Sequence, residues 1–493
     1  MTTAATPPAE RTFLGHPRGL ATLFNIELWE RFSYYGMRAI LLYYIVDTAA
    51  AGGLGLDQSL GEAVVATYGA AVYLLSVVGG WLADRVIGAQ RSVFVGGVII
   101  MAGHVSLAIP SPATSWLGIA LVALGTGLLK PNVSAMVGHL YEERDARKDS
   151  AFTIFYMSIN IGSFFSPFVV AFLRDQWGYH AGFLAAAVGM LFALVAYVIG
   201  RRTLAPESNL VPNPLQPRDR ARVPLLAGGL VALVVVLLLA TRALRGAWAD
   251  AVIDTISILS VVASVSYFVV MFRSKQVTPR ERTHLAAYLP MWVGAVLFWM
   301  IFEQAASKMA AYAANRTDLD SLGFHFSEEW FQSVNPVSIM LLAPLFGLLW
   351  MRRAGRFPST PMKFALGVTL AGLSFVLLSA AAAAFPGATS PVWVLVGVFV
   401  IQTLGELCLS PVGLSATTSL APKAFTSQAM ALWFLAVATG QSLAAQLIRA
   451  MEGLPDGTFF ITLGAMAVVV GLVLAALSPW VHARMKDAEP EHA

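Results

Sequence analysis

The chain has 493 residues, of which 57% are hydrophobic and only 12% are charged, and its formal net charge is +4. Soluble domains carry about 25% charged residues, so this composition argues against a water-soluble protein and favours one solvated by lipid. The Lys and Arg residues are spread through short connectors and form no patch, which argues against nucleic-acid binding. The single cysteine, Cys408, excludes an intrachain disulfide.

The predicted elements are long apolar helices. The first 20 residues are polar and lack a signal-peptide pattern, so we predict a cytoplasmic tail there. A membrane-spanning helix needs about 20 apolar residues. Fourteen stretches qualify, near residues 21–47, 60–84, 92–110, 114–138, 151–174, 181–200, 223–241, 250–272, 284–313, 330–351, 362–385, 391–419, 425–449 and 458–481.

The fourteen helices divide into two sets of six. The seventh and eighth contain few candidate polar groups and follow a basic, Pro-rich linker, so they are interpreted as an insertion. The predicted organisation is a tail (1–20), a six-helix bundle (21–202), a linker with two extra helices (203–283), a second bundle (284–482) and a tail (483–493). If both termini are cytoplasmic, 23 of the 32 Lys and Arg residues fall on the inside, as the positive-inside rule requires.

An internal repeat supports this division. "LGTGLLKPNVSA" from Leu124 resembles "LGELCLSPVGLSA" from Leu404, with Gly and Pro six residues apart in both, at an offset of 280. The next helices match Gly162 with Gly440 at an offset of 278. Parallel repeats with a site at their interface are typical of transporters.

Charged residues occur inside the first predicted helix, "NIELWERFSYYGMRAILLYYI". Glu27, Arg31, Tyr34 and Arg38 share one helical face, and Glu30 flanks it. A charge at the bilayer centre costs about 2.5–3.5 kcal/mol on insertion scales, so this stripe must face the protein interior. The alternative is a set of ion pairs that only locks helices together.

Further charges lie in other helices of both halves. Lys130 is in the fourth helix, and the acidic Glu303 and Glu406 are in the second half. A cavity between the halves would have a cationic wall and an acidic wall, which suits a zwitterion. Desolvated carboxylates beside cations could also exchange a proton.

Several motifs resemble those of the proton-dependent oligopeptide transporter (POT/PTR) family of the major facilitator superfamily, in its bacterial form. "ELWERFSYYG" at 27–36 matches ExxERFxYYG, and "FYMSINIGSFFSP" at 155–167 matches FYxxINxGS. "GGWLADRVIG", "FWMIFEQ", "FQSVNPVSIMLLAP" and "GELCLSPVGLS" resemble further segments of that family. The resemblance implies an all-α facilitator fold with fourteen transmembrane helices.

The same resemblance implies roles for individual residues. Glu27, Glu30 and Arg31 would serve proton coupling with Lys130. Arg38 and Lys130 would bind the peptide carboxylate, and Glu406, with Ser410 nearby, would bind the ammonium. Asn160 and Asn335 would hydrogen-bond the peptide backbone, and Glu303 would pair with Arg38. Pockets for the peptide side chains would be formed by aromatic residues: Tyr34, Tyr35, Tyr68, Trp299 and Trp433.

Simpler interpretations stay open for some of these residues. Asn160 and Asn335 could hydrogen-bond between helices, and Trp299 and Trp433 could fill the core. Asp84, Arg85 and Arg91 are interpreted as a loop latch between helices rather than a substrate site.

We expect no enzyme activity, since the sequence contains no P-loop, zinc-ligand spacing or nucleophile elbow. The predicted function is proton-coupled import of di- and tripeptides, without a cofactor, by a functional monomer in a bacterial inner membrane. The alternatives are transport of another solute such as nitrate or a peptide-like drug, proton-driven drug export, or a non-transporting peptide sensor.

Overall fold

The computed structural model describes residues 12–142, 145–217, 219–220, 222–353 and 357–488, and this part of the chain is almost entirely helical. Four of the basic residues that indicate the orientation lie outside the described residues: Arg11, Arg144, Arg218 and Arg356. Parts of both predicted tails lie outside them as well. The α-helices are α1 (Arg18–Val46), α2 (Gln58–Leu82), α3 (Ala89–Leu107), α4 (Pro112–Gly138), α5 (Lys148–Trp177), α6 (Tyr179–Gly200), α7 (Arg222–Arg245), α8 (Trp248–Arg273), α9 (Pro279–Phe302), α10 (Lys308–Arg316), α11 (Val334–Arg352), α12 (Thr360–Ala384), α13 (Val392–Leu420), α14 (Thr426–Ala450) and α15 (Asp456–Ala488).

Short elements connect these helices. A π-helical turn, Ala83–Ile87, extends α2, and β1 (Thr317–Asp318) pairs in parallel with β2 (Ser390–Pro391). The 3-10 turns are Ala49–Ala51, Arg201–Thr203, Pro206–Asn209, Glu303–Ala306, Ser321–Gly323, Glu328–Ser333 and Lys423–Phe425.

Each predicted apolar stretch corresponds to helical structure. Thirteen helices in the described part of the chain are long and apolar enough to cross a membrane. The fourteenth, α1, is 29 residues long and its charged side chains lower its hydropathy, but most of its residues are buried. The predicted ninth stretch, 284–313, is not one helix: α9 ends at Phe302, and a 3-10 turn separates it from α10. In that turn, the Glu303 carbonyl accepts a hydrogen bond of 3.1 Å from Arg38.

The two halves repeat the same helix crossings. In the first set (α1–α6), Gly162 of α5 leaves no room for a Cβ against the backbone of α1 at Leu28. In the second set (α9–α15), Gly440 of α14 does the same against α9 at Val296. Small residues let membrane helices approach this closely. The structure therefore confirms the repeat that the sequence predicts at these two glycines.

The inserted helices α7 and α8 form a hairpin at the edge of the molecule. Thr241 is the one buried residue within the described helix α7, whereas α8 packs against α14 and α2. Polar side chains of α8 bond to α14. Ser264 lies 2.8 Å from the Thr439 hydroxyl, and Asp254 accepts hydrogen bonds from Arg449 (2.8 Å) and Gln446 (3.0 Å).

Candidate functional site

The predicted charged face of α1 points into the protein. Glu27, Glu30 and Arg31, called here the α1 trio, are 4%, 0% and 3% exposed. Arg31 Nε lies 3.3 Å from Glu27 Oε1 and also forms an ion pair with Glu30. Two carboxylates thus share one guanidinium, so the trio has one negative charge in excess when both are ionised. Three polar atoms of the trio are buried without a hydrogen-bond partner among the described residues: Glu27 Oε2, Glu30 Oε1 and Arg31 Nη2.

Farther along the same face, α1 is linked to the second set of helices. Arg38 Nη2 lies 2.5 Å from Glu303 Oε2, and both side chains are largely buried. The expectation that Glu303 pairs with Arg38 is therefore met in this conformation. The pair joins α1 to the end of α9, so separation of the two sets at this level requires that it break.

Lys130, one residue before Pro131 in α4, occupies a different environment. Its Nζ lies 3.8 Å from the centroid of the Tyr73 ring, a cation–π distance. Within the described residues, no carboxylate lies within 4.0 Å of this ammonium. Lys130 nevertheless lies close enough to interact electrostatically with three carboxylates without a direct ion pair to any of them: Glu27, Glu30 and Glu303.

Glu406 of α13 is held by a side chain from α11. The Asn335 amide donates hydrogen bonds of 3.0 Å to Glu406 Oε2 and of 3.0 Å to the Thr403 hydroxyl. Asn335 therefore does bond between helices, which was one of the two interpretations open from the sequence. The Ser410 hydroxyl, one turn farther along α13, is buried and has no partner in the described part of the chain.

The predicted aromatic residues form two groups. In the first set, Tyr34 stacks on Tyr68 with ring centroids 6.3 Å apart and meets Tyr35 edge-on at 5.3 Å. In the second set, Trp299 and Trp433 meet edge-on at 6.2 Å. Both indoles are largely buried, at 9% and 7% exposure, so in this conformation they fill the core between helices.

Asn160 is hydrogen-bonded within its own helix in this conformation. Its amide donates a hydrogen bond of 2.9 Å to the Tyr156 carbonyl, one turn earlier in α5. The side chain is partly exposed.

Comparison with known proteins decides the family. A family model described as "PTR2: POT family" matches residues 90–478. The chain belongs to the POT family. It is 45% identical over 480 residues to "Uncharacterized transporter YclF" of Bacillus subtilis (strain 168), covering 97% of this chain and 96% of that protein. It is 42% identical over 482 residues to a "Di-/tripeptide transporter" of Lactococcus lactis subsp. cremoris, covering 94% and 96%.

Solved POT structures have the same fold. A crystal structure of peptide transporter POT in complex with sulfate is 46% identical, has a TM-score of 0.92, and each chain covers 97% of the other. A POT family transporter in complex with 5-aminolevulinic acid is 37% identical with a TM-score of 0.91, covering 96% of this chain and 98% of that one. The spanning helices therefore form a major facilitator fold of POT type, with α7 and α8 inserted.

Sequence reasoning about this POT chain missed Tyr73 and Phe434. Tyr73 lies under Lys130, and its ring is 6.3 Å from that of Phe434 in α14, so the two aromatics connect the two sets beside the cation. The α2 sequence has no charge in its middle from which to fix the helical phase, so the sequence does not show that Tyr73 faces Lys130. The sequence indicates Tyr73 only as a second aromatic residue of α2, five positions after Tyr68.

Ion pairs also clamp the two sets together at one end, where α1 ends and α2 begins, called here the α1–α2 end. Lys308 Nζ lies 3.1 Å from Glu62 Oε2 of α2 and 3.0 Å from Asp456 Oδ1 of α15. Arg174 of α5 lies 2.7 Å from Glu328 and also pairs with the fully buried Glu329. The POT chain is therefore closed at this end.

Proposed function

We propose that this POT-family chain is a proton-coupled symporter that imports di- and tripeptides by alternating access. The observation that carries the proposal is the α1 trio, in which two buried carboxylates share one guanidinium. Burial makes an excess charge costly, so one proton neutralises the trio. A proton moving down 100 mV releases about 2.3 kcal/mol, and about 1.4 kcal/mol corresponds to a tenfold concentration ratio. One proton could thus support roughly 50-fold accumulation.

The substrate class follows from the charges that surround the trio. We assign the peptide carboxylate to Lys130, which forms no direct ion pair with a carboxylate among the described residues, and to Arg38 once its pair with Glu303 opens. We assign the peptide ammonium to Glu406, whose carboxylate is oriented by Asn335. The Lactococcus relative is named a di-/tripeptide transporter, which supports the same class for this chain.

The transport cycle uses the clamps at the α1–α2 end. With both termini in the cytoplasm, this end is the outer side of a bacterial inner membrane, and the present conformation is closed to the outside. Peptide and proton enter when the clamps and the Arg38–Glu303 pair are broken. Closure of the outer side precedes release to the cytoplasm, and one chain contains the whole route, so a monomer is sufficient. This activity requires no enzymatic step and no cofactor other than the coupled proton.

Uptake of dialanine into liposomes that contain the purified protein tests the proposal. We expect accumulation with an inward proton gradient and its collapse on addition of a protonophore. Lys130→Ala is the test variant: it keeps the α1 trio but removes the cation assigned to the peptide, so its dialanine accumulation should fall. Equal uptake by the variant and the natural protein, or no dialanine uptake by sealed proteoliposomes, would contradict the assignment.

A further inference from the structure

A cavity outside the transport route lies between the start of α3 and the end of α6. Its volume is about 350 Å³, and the side chains that decide its chemistry are Gln90, Arg91, Phe94, Tyr197 and Arg201. The 3-10 turn Pro206–Asn209 of the linker closes one side. None of the residues proposed above for peptide or proton binding lines this cavity, so its ligand is not the transported peptide.

Two arginines make the cavity cationic. Arg91 at the start of α3 and Arg201 just after α6 are both exposed. Neither forms an ion pair with a carboxylate within the residues that the structure describes. Two like charges at one cavity repel each other unless an anion lies between them, and guanidinium groups bind phosphate oxygens in a bidentate manner.

A hydrogen bond joins the two helices beside the cavity. The Tyr197 hydroxyl donates a hydrogen bond of 3.1 Å to the Gln90 carbonyl, and Gln90 is only 5% exposed. This contact ties the start of α3 to the end of α6, the two segments that carry Arg91 and Arg201.

The remaining wall is apolar and faces the lipid. Phe94 stacks on Tyr197 with centroids 5.1 Å apart and is 37% exposed, while Val95 and Val198 are 43% and 52% exposed. These residues lie on membrane-spanning helices, next to the arginines at the helix ends. The ligand therefore has an anionic head and a hydrocarbon tail.

We propose that this cavity binds an anionic phospholipid, with its phosphate between Arg91 and Arg201 and an acyl chain along Phe94. Basic cavities between membrane helices on the cytoplasmic side bind such head groups, and this end of α3 is the cytoplasmic end in the proposed orientation. The lipid joins α3, α6 and the linker.

Native mass spectrometry of the purified full-length protein tests the proposal. Phosphatidylglycerol is titrated against phosphatidylcholine with the same acyl chains, and bound lipids are counted. We expect tighter binding of phosphatidylglycerol. At about 1 kcal/mol for each basic residue near the membrane surface, or about fivefold in affinity, Arg91→Gln with Arg201→Gln should weaken binding roughly 30-fold.

The matched control is Arg202→Gln with Arg353→Gln, which removes the same charge from two exposed arginines outside the cavity and should leave the affinity unchanged. If the double cavity variant does not purify, Arg201→Gln alone should give a fivefold loss. Equal affinity for both phospholipids, an equal loss in the control, or full competition by inorganic phosphate would overturn the lipid assignment; the last result would indicate a site for free anions.

Discussion

Lys308→Met should open the α1–α2 end. Lys308 is the cation that pairs with the fully buried Glu62 and with Asp456, whose side chain is 41% exposed. Asp456 keeps its water when the lysine is lost, but Glu62 is left as an unpaired buried charge. Removal of one partner from a buried pair costs about 3–5 kcal/mol.

This cost applies only to the closed conformation, because opening lets water reach Glu62. The ratio of open to closed molecules should therefore rise by about two to more than three orders of magnitude, at about 1.4 kcal/mol for each factor of ten. Glu62→Gln combined with Lys308→Met removes both charges and should restore most of the closed population.

Electron–electron double resonance measures this population. Spin labels at positions 177 and 454, on a Cys408→Ser background, lie on opposite sets at the α1–α2 end, where Trp177 and Leu454 are 68% and 53% exposed. Lys308→Met should shift the distances towards longer values, and the double variant should reverse the shift. An unchanged distribution in a folded Lys308→Met protein would refute the view that this pair clamps the end.

Four further substitutions test the central site. Glu406→Gln should weaken transport of free-amine peptides about 10- to 100-fold, corresponding to about 1.5–3 kcal/mol for a charged hydrogen bond, and spare N-acetylated peptides; equal losses would remove its assigned role. Glu30→Gln should abolish accumulation driven by a pH gradient but retain peptide counterflow, and continued accumulation would place coupling elsewhere. Lys130→Ala should impair both processes, whereas loss of only one would restrict its role. Tyr73→Leu should lower peptide affinity because it removes the ring beside Lys130, and it should leave coupling intact because it changes no carboxylate. A variant with the peptide affinity of the natural protein would show that this ring serves packing alone.

The sequence predicts the helices and the repeat because both depend on local signals. Apolar length locates each spanning stretch, and the Gly162 and Gly440 crossings lie at the offset that the motifs predict. The charged face of α1 is also predictable, since spacing along one helix fixes which side chains share a face.

Contacts between distant helices were harder to predict. In the sequence, nothing distinguishes Lys308, Glu62 and Arg174 from other charges near helix ends. Only the packing of the two sets shows that Lys308 pairs with Glu62 and that Arg174 pairs with Glu328 and Glu329. The polar side of α8 was missed because single Ser and Asp residues do not show which neighbour they face. Tyr73 was missed for a related reason, since α2 offers no charge that fixes its helical phase.

The most direct test of the central claim is whether peptide carries protons with it. Proteoliposomes loaded with the pH indicator pyranine receive external dialanine without an imposed pH gradient. Symport predicts acidification of the interior that depends on dialanine and is lost in Glu30→Gln. Peptide uptake with no change in internal pH would contradict coupling at the α1 trio. It would indicate that the protein transports peptide without moving a proton.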